Sequence, residues 1–219
     1  MNRLRLIPLL GLISASLLLG ACASGRTVIH VPHRVAAAPY PSTARAVLLR
    51  SVEDARQFED APAEPSTPSL GAEPSSAASA TTKARAVARK RNGYGLAQGD
   101  VLLDADDNVA AVTRAALVSA FTKAGYRVDS AGDAAPSVPT TVDVRIKKFW
   151  LWLQPGVMVG TIRSTIVVEV TMGSNPPITL QADTAQPGQI FSEEAWTQAV
   201  ATAVNAFVDE AAKKLQAAP

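Results

Sequence analysis

The strongest constraint on the fold lies in residues 141–171, where apolar residues alternate, stop at one turn and alternate again. Val142, Val144 and Ile146 take turns with Asp143, Arg145 and Lys147, the period of a strand with one buried and one wetted face. From Phe149 to Leu153 both faces become apolar. Gln154-Pro155-Gly156 then supplies a turn, because proline presets φ and glycine accepts a positive φ. The return strand, 157–171, sets Met158, Ile162, Ile166, Val168 and Val170 mainly on one side, with Arg163, Thr165 and Glu169 on the other. After Asn175-Pro176-Pro177, Ile178, Leu180 and Ala182 alternate with Thr179, Gln181 and Asp183, which predicts a third strand.

Two helices flank this meander. Asp106 or Asp107 can cap a helix running to Ala124, whose Val109, Val112, Ala116, Leu117, Ala120 and Phe121 keep to one face. Lys123 suits its last turn and Gly125 its stop, and Tyr126-Arg127-Val128 begins a short strand. The second helix covers about 192–216, with Ser192 as cap, Glu193 and Glu194 at its positive end, and Lys213 and Lys214 at the other. Phe191 and Trp196 have the spacing of a hydrophobic staple. Upstream, Ala44–Val52 reads as a strand, and 84–91 as a basic strand pairing with it and ending at Asn92-Gly93-Tyr94-Gly95. Between them, Pro62, Pro65, Pro68 and Pro74 predict a disordered or loosely packed insertion over 59–82. The expected fold is α+β, a mostly antiparallel sheet of about four to six strands with two helices packed on one face.

The first residues have the three parts of an export signal. Arg3 and Arg5 precede an uncharged apolar run from Leu6 to Leu19, and Leu19-Gly20-Ala21 leads to Cys22. The run falls short of the ~20 apolar residues that a spanning helix needs. Residues 1–21 are therefore expected to be a signal peptide, 22–44 the new N-terminus and a tether, and 45–216 one α+β domain. Extended at about 3.3 Å per residue, the tether would reach roughly 70 Å. Cys22 is the only cysteine, so no disulfide forms within the chain. Losing Arg3 and Arg5 leaves 19 basic against 19 acidic side chains, a neutrality that gives no field for nucleic acid.

Side chains suited to chemistry are few. His30 and His33 both fall in the expected tether, and the domain holds neither imidazole nor free thiol for nucleophilic or zinc chemistry. Asp104 to Asn108 opens like a calcium loop, but Val109 and Ala115 stand where glycine and an acidic closer are due. Gly93, Gly95 and Gly99 lack the spacing of a phosphate-binding loop. Lys83, Arg85, Arg89, Lys90 and Arg91 form one basic run, a solvated strand face or a contact for anionic lipid. Phe149, Trp150 and Trp152 allow two readings. The second face of the strand packs beneath the Pro-rich segment or a helix, or it forms an exposed patch for a partner protein or a membrane.

Leu19-Gly20-Ala21-Cys22 resembles the lipobox of bacterial lipoproteins, in which the thiol is lipidated and becomes the new N-terminus. Ala23, where aspartate would favour the inner membrane, implies an outer-membrane lipoprotein facing the periplasm. Together with Arg50-Ser51-Val52-Glu53-Asp54, Asn92-Gly93-Tyr94-Gly95 and Ala124-Gly125-Tyr126-Arg127-Val128, the lipobox resembles the uncharacterised YajG-like lipoproteins. The likeness covers about 45–215 without the insertion, and no residue roles transfer. More distantly, the order of elements is similar to small lipoproteins that assist envelope transporters or cell-wall synthases. The expected protein is a non-enzymatic envelope lipoprotein without a metal or cofactor, bound to the membrane through Cys22 and contacting an envelope complex. The alternative is a lipid- or glycan-binding accessory of an envelope transport system. A hydrolase using Glu53, Asp54 or Asp143 ranks third, because two carboxyls would have to face across a cleft.

Overall fold

One long strand organises the chain. The computed structural model describes residues 25–31, 44–92, 94–129 and 139–217, so Cys22 and His33 lie outside the described residues. In chain order the elements are β1 (Thr27–Ile29), β2 (Ala46–Asp54), α1 (Ala80–Arg85), β3 (Ala86–Arg91) and β4 (Ala97–Leu103). They continue with α2 (Val109–Lys123), β5 (Arg127–Asp129), β6 (Thr140–Gln154), β7 (Gly160–Met172), β8 (Ile178–Gly188) and α3 (Glu193–Gln216). β7 pairs antiparallel along β6, and β8 along β7. The other edge of β6 is shared. β2 lies parallel to its first half, whereas β3 lies parallel at Ala88↔Leu151, near its far end. β5 adds to β2, β4 to β3, and β1 to β4.

The described residues thus form eight strands in one mixed sheet, with three helices. This overturns the expected mostly antiparallel sheet of about four to six strands with two helices. The first two expected strands do not pair with each other; each joins β6 in parallel. Residues 80–85, expected to begin a strand or end the insertion, form a short helix capped by Ser79. β4 carries Gly99 and Asp100, residues that disfavour strands. β1 falls inside the expected tether.

The two expected long helices are present; Ser192 caps the second as expected, accepting from the Ala195 backbone N–H, whereas the first is capped by Asn108, accepting from Ala111, and not by Asp106 or Asp107. Gly125 ends the first at φ +88°, a backbone that favours glycine. Both helices cover one face of the sheet. Phe121, Leu117, Trp196, Val200 and Phe207 pack there against Val142, Val144, Ile146, Ile166, Val168 and Leu180.

A bulge decides what lies on each face. Ile146 pairs with Val168 but Lys148 with Val167, so Lys147 is an extra residue and the alternation of β6 changes phase. Before it, the even-numbered Val142, Val144 and Ile146 face the helices; after it, Phe149 and Leu151 do. Trp150 is thereby turned to the opposite face, into a second core with Leu70, Ala78, Ala86 and Leu102.

That second core is roofed by the Pro-rich segment, which is packed rather than loose. The Trp150 indole N–H donates to the Pro65 carbonyl at 3.2 Å, and Phe58 meets its ring edge-on. Leu70 is buried, and Ser76 is tied to Asp60 through its backbone N–H and its hydroxyl. Buried Asp100 of β4 accepts from the backbone N–H of Gly71 (2.6 Å) and of Ala72 (3.3 Å). Proline carbonyls serve here as acceptors, and the rings lower the entropy that ordering the segment costs.

Arg56 fills the fork where β2 leaves β6 before β3 arrives. Its side chain is fully buried. The guanidinium donates to the carbonyls of Ala86, Phe149 and Lys83 and to both oxygens of Asp54. It therefore satisfies backbone acceptors from the two sides of the fork. At the far edge, Gly25 N–H donates to the Gln98 carbonyl and leads into β1. Gly99 permits this approach: a Cβ there would stand 2.0 Å from the Gly25 oxygen, at a φ of +122°.

Two substitutions test the roof and the fork by urea unfolding. Trp150→Ala is expected to cost about 3–5 kcal/mol, as for a large core aromatic. Arg56→Met is expected to cost on the order of 3 kcal/mol, because several buried acceptors lose their donor. Near-wild-type midpoints would show that the second face is not a core.

Candidate functional site

One end of the sheet collects exposed apolar side chains. β3 and β6 run parallel and finish at the same end, so the turns 92–96 and 155–159 project together. The Gly160↔Gly188 pair brings the end of β8 and the start of α3 beside them. Tyr94 (92% exposed), Met158 (85%) and Ile190 (80%) protrude there with Leu96, Val157 and Val159. Asn92 shapes its turn by accepting from the backbone N–H groups of Tyr94 and Leu96. Phe191 packs against Gly160 and Gly188, where a Cβ at Gly160 would stand 2.6 Å from its ring.

Behind this rim is a cleft of ≈ 380 Å³ lined by Thr27, Lys90, Arg91, Leu153, Phe191 and Trp196, among others. Lys90 donates to the Thr27 hydroxyl at 2.9 Å, and Arg91 to the Pro62 carbonyl at 2.9 Å. Burial pushes the Lys90 ammonium below its ordinary range, opposed by the charge of Asp100. Burial also lowers Arg91, helped by the neighbouring charge of Arg89. The Trp196 side chain is buried and its indole N–H has no hydrogen-bond partner. The α3 N-terminus opens at the same cleft through Ser192 and Glu193. Two half-buried cations beside apolar walls can hold a molecule with a negative head and an apolar body.

The aromatic run does not form this surface. Phe149 and Trp150 are buried, one in each core, and Trp152 is half-buried beside the second core with the Lys148 ammonium 5.9 Å from its ring centroid. In this conformation Phe149 and Trp150 are closed to a partner or a lipid. The basic run is dispersed: Arg85 donates to the Leu103 carbonyl and Arg89 to the Ser69 hydroxyl, while Lys90 and Arg91 reach the cleft.

The three candidate carboxylates each face an arginine. Asp143 is bound by Arg50 and by the Ser51 hydroxyl, Asp54 by Arg56, and Glu53 lies 3.3 Å from Arg145. His30 lies 2.6 Å from Asp104 on the surface. Among the described residues, no group of three or more His, Cys, Asp or Glu could hold a metal ion, and no helix is long and apolar enough to cross a membrane.

Sequence reasoning assigned Met158 to the inner side of a strand. β7 instead begins at Gly160, which leaves Val157-Met158-Val159 as an apolar tip. The signal was present as three apolar residues directly after Pro155-Gly156.

No family model matches the chain, and no curated protein matches it. Its structural neighbours include an uncharacterised-family protein, of family-model DUF330, from Xanthomonas campestris. That crystal structure is 12% identical, covers 87% of this chain and 93% of its own, and superposes with a TM-score of 0.47. A second crystal structure, of an uncharacterised protein, is 9% identical, covers 80% and 98%, and scores 0.38. These scores are too low to carry an argument about this chain.

The surface carboxylates give a pH dependence. Asp143 is held below the ordinary carboxylate range by hydrogen bonds from Arg50 and then Ser51, Asp60 by Ser76, and Asp129 by Arg127. A depressed folded pKa stabilises above the unfolded value, roughly pH 4, and that contribution is lost as pH falls through the folded value. Urea midpoints should therefore drop between neutral pH and pH below roughly 4, and less steeply in Asp143→Asn. An acid limb unchanged by that substitution would remove Asp143 from the account.

Proposed function

We propose that this chain is a lipid-anchored accessory protein of a bacterial envelope, held through Cys22 and acting by contact rather than catalysis. The observation that carries the reading is the lipobox Leu19-Gly20-Ala21-Cys22, which closes an uncharged apolar run and stands five residues before β1 begins at Thr27. Ala23 supports the outer membrane, with the domain in the periplasm and an envelope complex as its partner.

Because β1 begins at Thr27, the link from Cys22 to the sheet is a few residues, roughly 3.5 Å each, not the whole of 22–44. Feeding an alkyne palmitate to a Gram-negative host expressing the full chain should label the wild type and place it in the outer-membrane fraction. Cys22→Ser should lose both. An unlabelled wild-type protein would defeat the reading.

A second reading, a lipid- or glycan-binding accessory of an envelope transport system, is favoured by the cleft of Lys90, Arg91, Phe191 and Trp196. Native mass spectrometry of the membrane-extracted protein is expected to show an added mass that is lost in Lys90→Ala/Arg91→Ala. A bare wild-type mass would remove this reading and leave the first standing.

A further inference from the structure

The described chain begins at the end that carries the apolar rim. β1 is parallel to β4, and Gly25 donates to Gln98 at the start of β4, beside the turn that exposes Tyr94 and Leu96. Cys22 is three residues upstream, so at about 3.5 Å per residue its sulfur stays within roughly 15 Å of this end, side chain included. Tyr94, Leu96, Val157, Met158, Val159 and Ile190 stand exposed on loops there, which is unusual for so many large apolar side chains at one end. Lys90 and Arg91 lie just behind them, and Arg163 is exposed one strand over, paired with Gln154. Glu193 and Glu194 are the acids of the adjoining helix start.

We propose that this end lies on the lipid bilayer itself, with the tips at 157–159 and at Ile190 seated in the boundary between headgroups and acyl chains. The proposal rests on the anchored reading of Cys22 and adds an orientation to it. A short link alone would hold the domain near the membrane in any pose. The apolar loops select one pose, since burying them in lipid removes them from water, while the nearby cations meet anionic headgroups. The turn 173–177 then points away. β7 spans the two ends, and its 13 residues at about 3.3 Å each separate them by roughly 40 Å.

The test uses the lipidated full chain, in which acylation of Cys22 leaves no other thiol. An environment-sensitive dye is placed on Met158→Cys or, as the distal control, on Ser174→Cys; both positions are exposed. Each protein is reconstituted in phosphatidylethanolamine–phosphatidylglycerol vesicles containing nitroxide-labelled lipid. Emission at position 158 should be blue-shifted and strongly quenched, and that at 174 unchanged. Adding Ile190→Asp should reduce the quenching at 158. Equal, weak quenching at both positions in protein that still floats with the vesicles would overturn the orientation and leave the anchor intact. Protein that does not float would overturn the anchor, and the orientation with it.

Discussion

Much of this fold depends on what becomes of the backbone where two parallel strands share one edge. β2 pairs with β6 only as far as Ile146, and β3 takes up the same edge near Leu151. Between them the carbonyls of Phe149 and Ala86 have Arg56 as donor. A neutral side chain offers too few donors, and lysine lacks the planar fork that reaches several acceptors at once. Asp54 balances the buried charge from the adjoining strand end. The fork allows residues 55–79 to leave the sheet, cross its open face and return to β3, so the second core depends on it.

The parts of the fold that were legible are those set by local chemistry. The β6–β7 hairpin, β8 and the two long helices follow from alternation, helical period and the cap at Ser192, although the first helix starts at Asn108 rather than at the acids before it. Strand order was not legible, because a parallel neighbour leaves no turn between partners to read. The Pro-rich segment misled for a physical reason. Proline lacks a donor, but its carbonyl accepts freely, and Pro62, Pro65 and Pro68 all accept here. Composition reports the missing donors and is silent about Trp150, Arg91 and Glu59 waiting to use the acceptors.

The candidate site was less legible still. Phe149 and Trp150 drew attention by size, yet alternation puts them in different cores, and the bulge at Lys147 decides that Phe149 is the one beneath the helices. The exposed side chains at 157–159 look like strand residues until it is known that β7 starts at Gly160. Lys90 and Arg91 belonged to a charge run whose members separate once β3 pairs with β4, two toward the cleft and Arg89 toward Ser69. Trp196 is in the expected helix, but a buried indole N–H without a partner leaves no mark in the sequence.

The seat of β1 has a consequence for how far the domain can travel. Gly99 lets the chain at Gly25 lie against β4 only because it lacks a side chain. With even a methyl group at 99, the backbone at Gly25 would have to move away from β4, loosening the lead into β1. Without β1 the next strand along the chain is β2, twenty-four residues from Cys22 and roughly 80 Å of contour. A single hydrogen atom in place of a methyl thus sets how closely the backbone ahead of the first strand is held to the sheet.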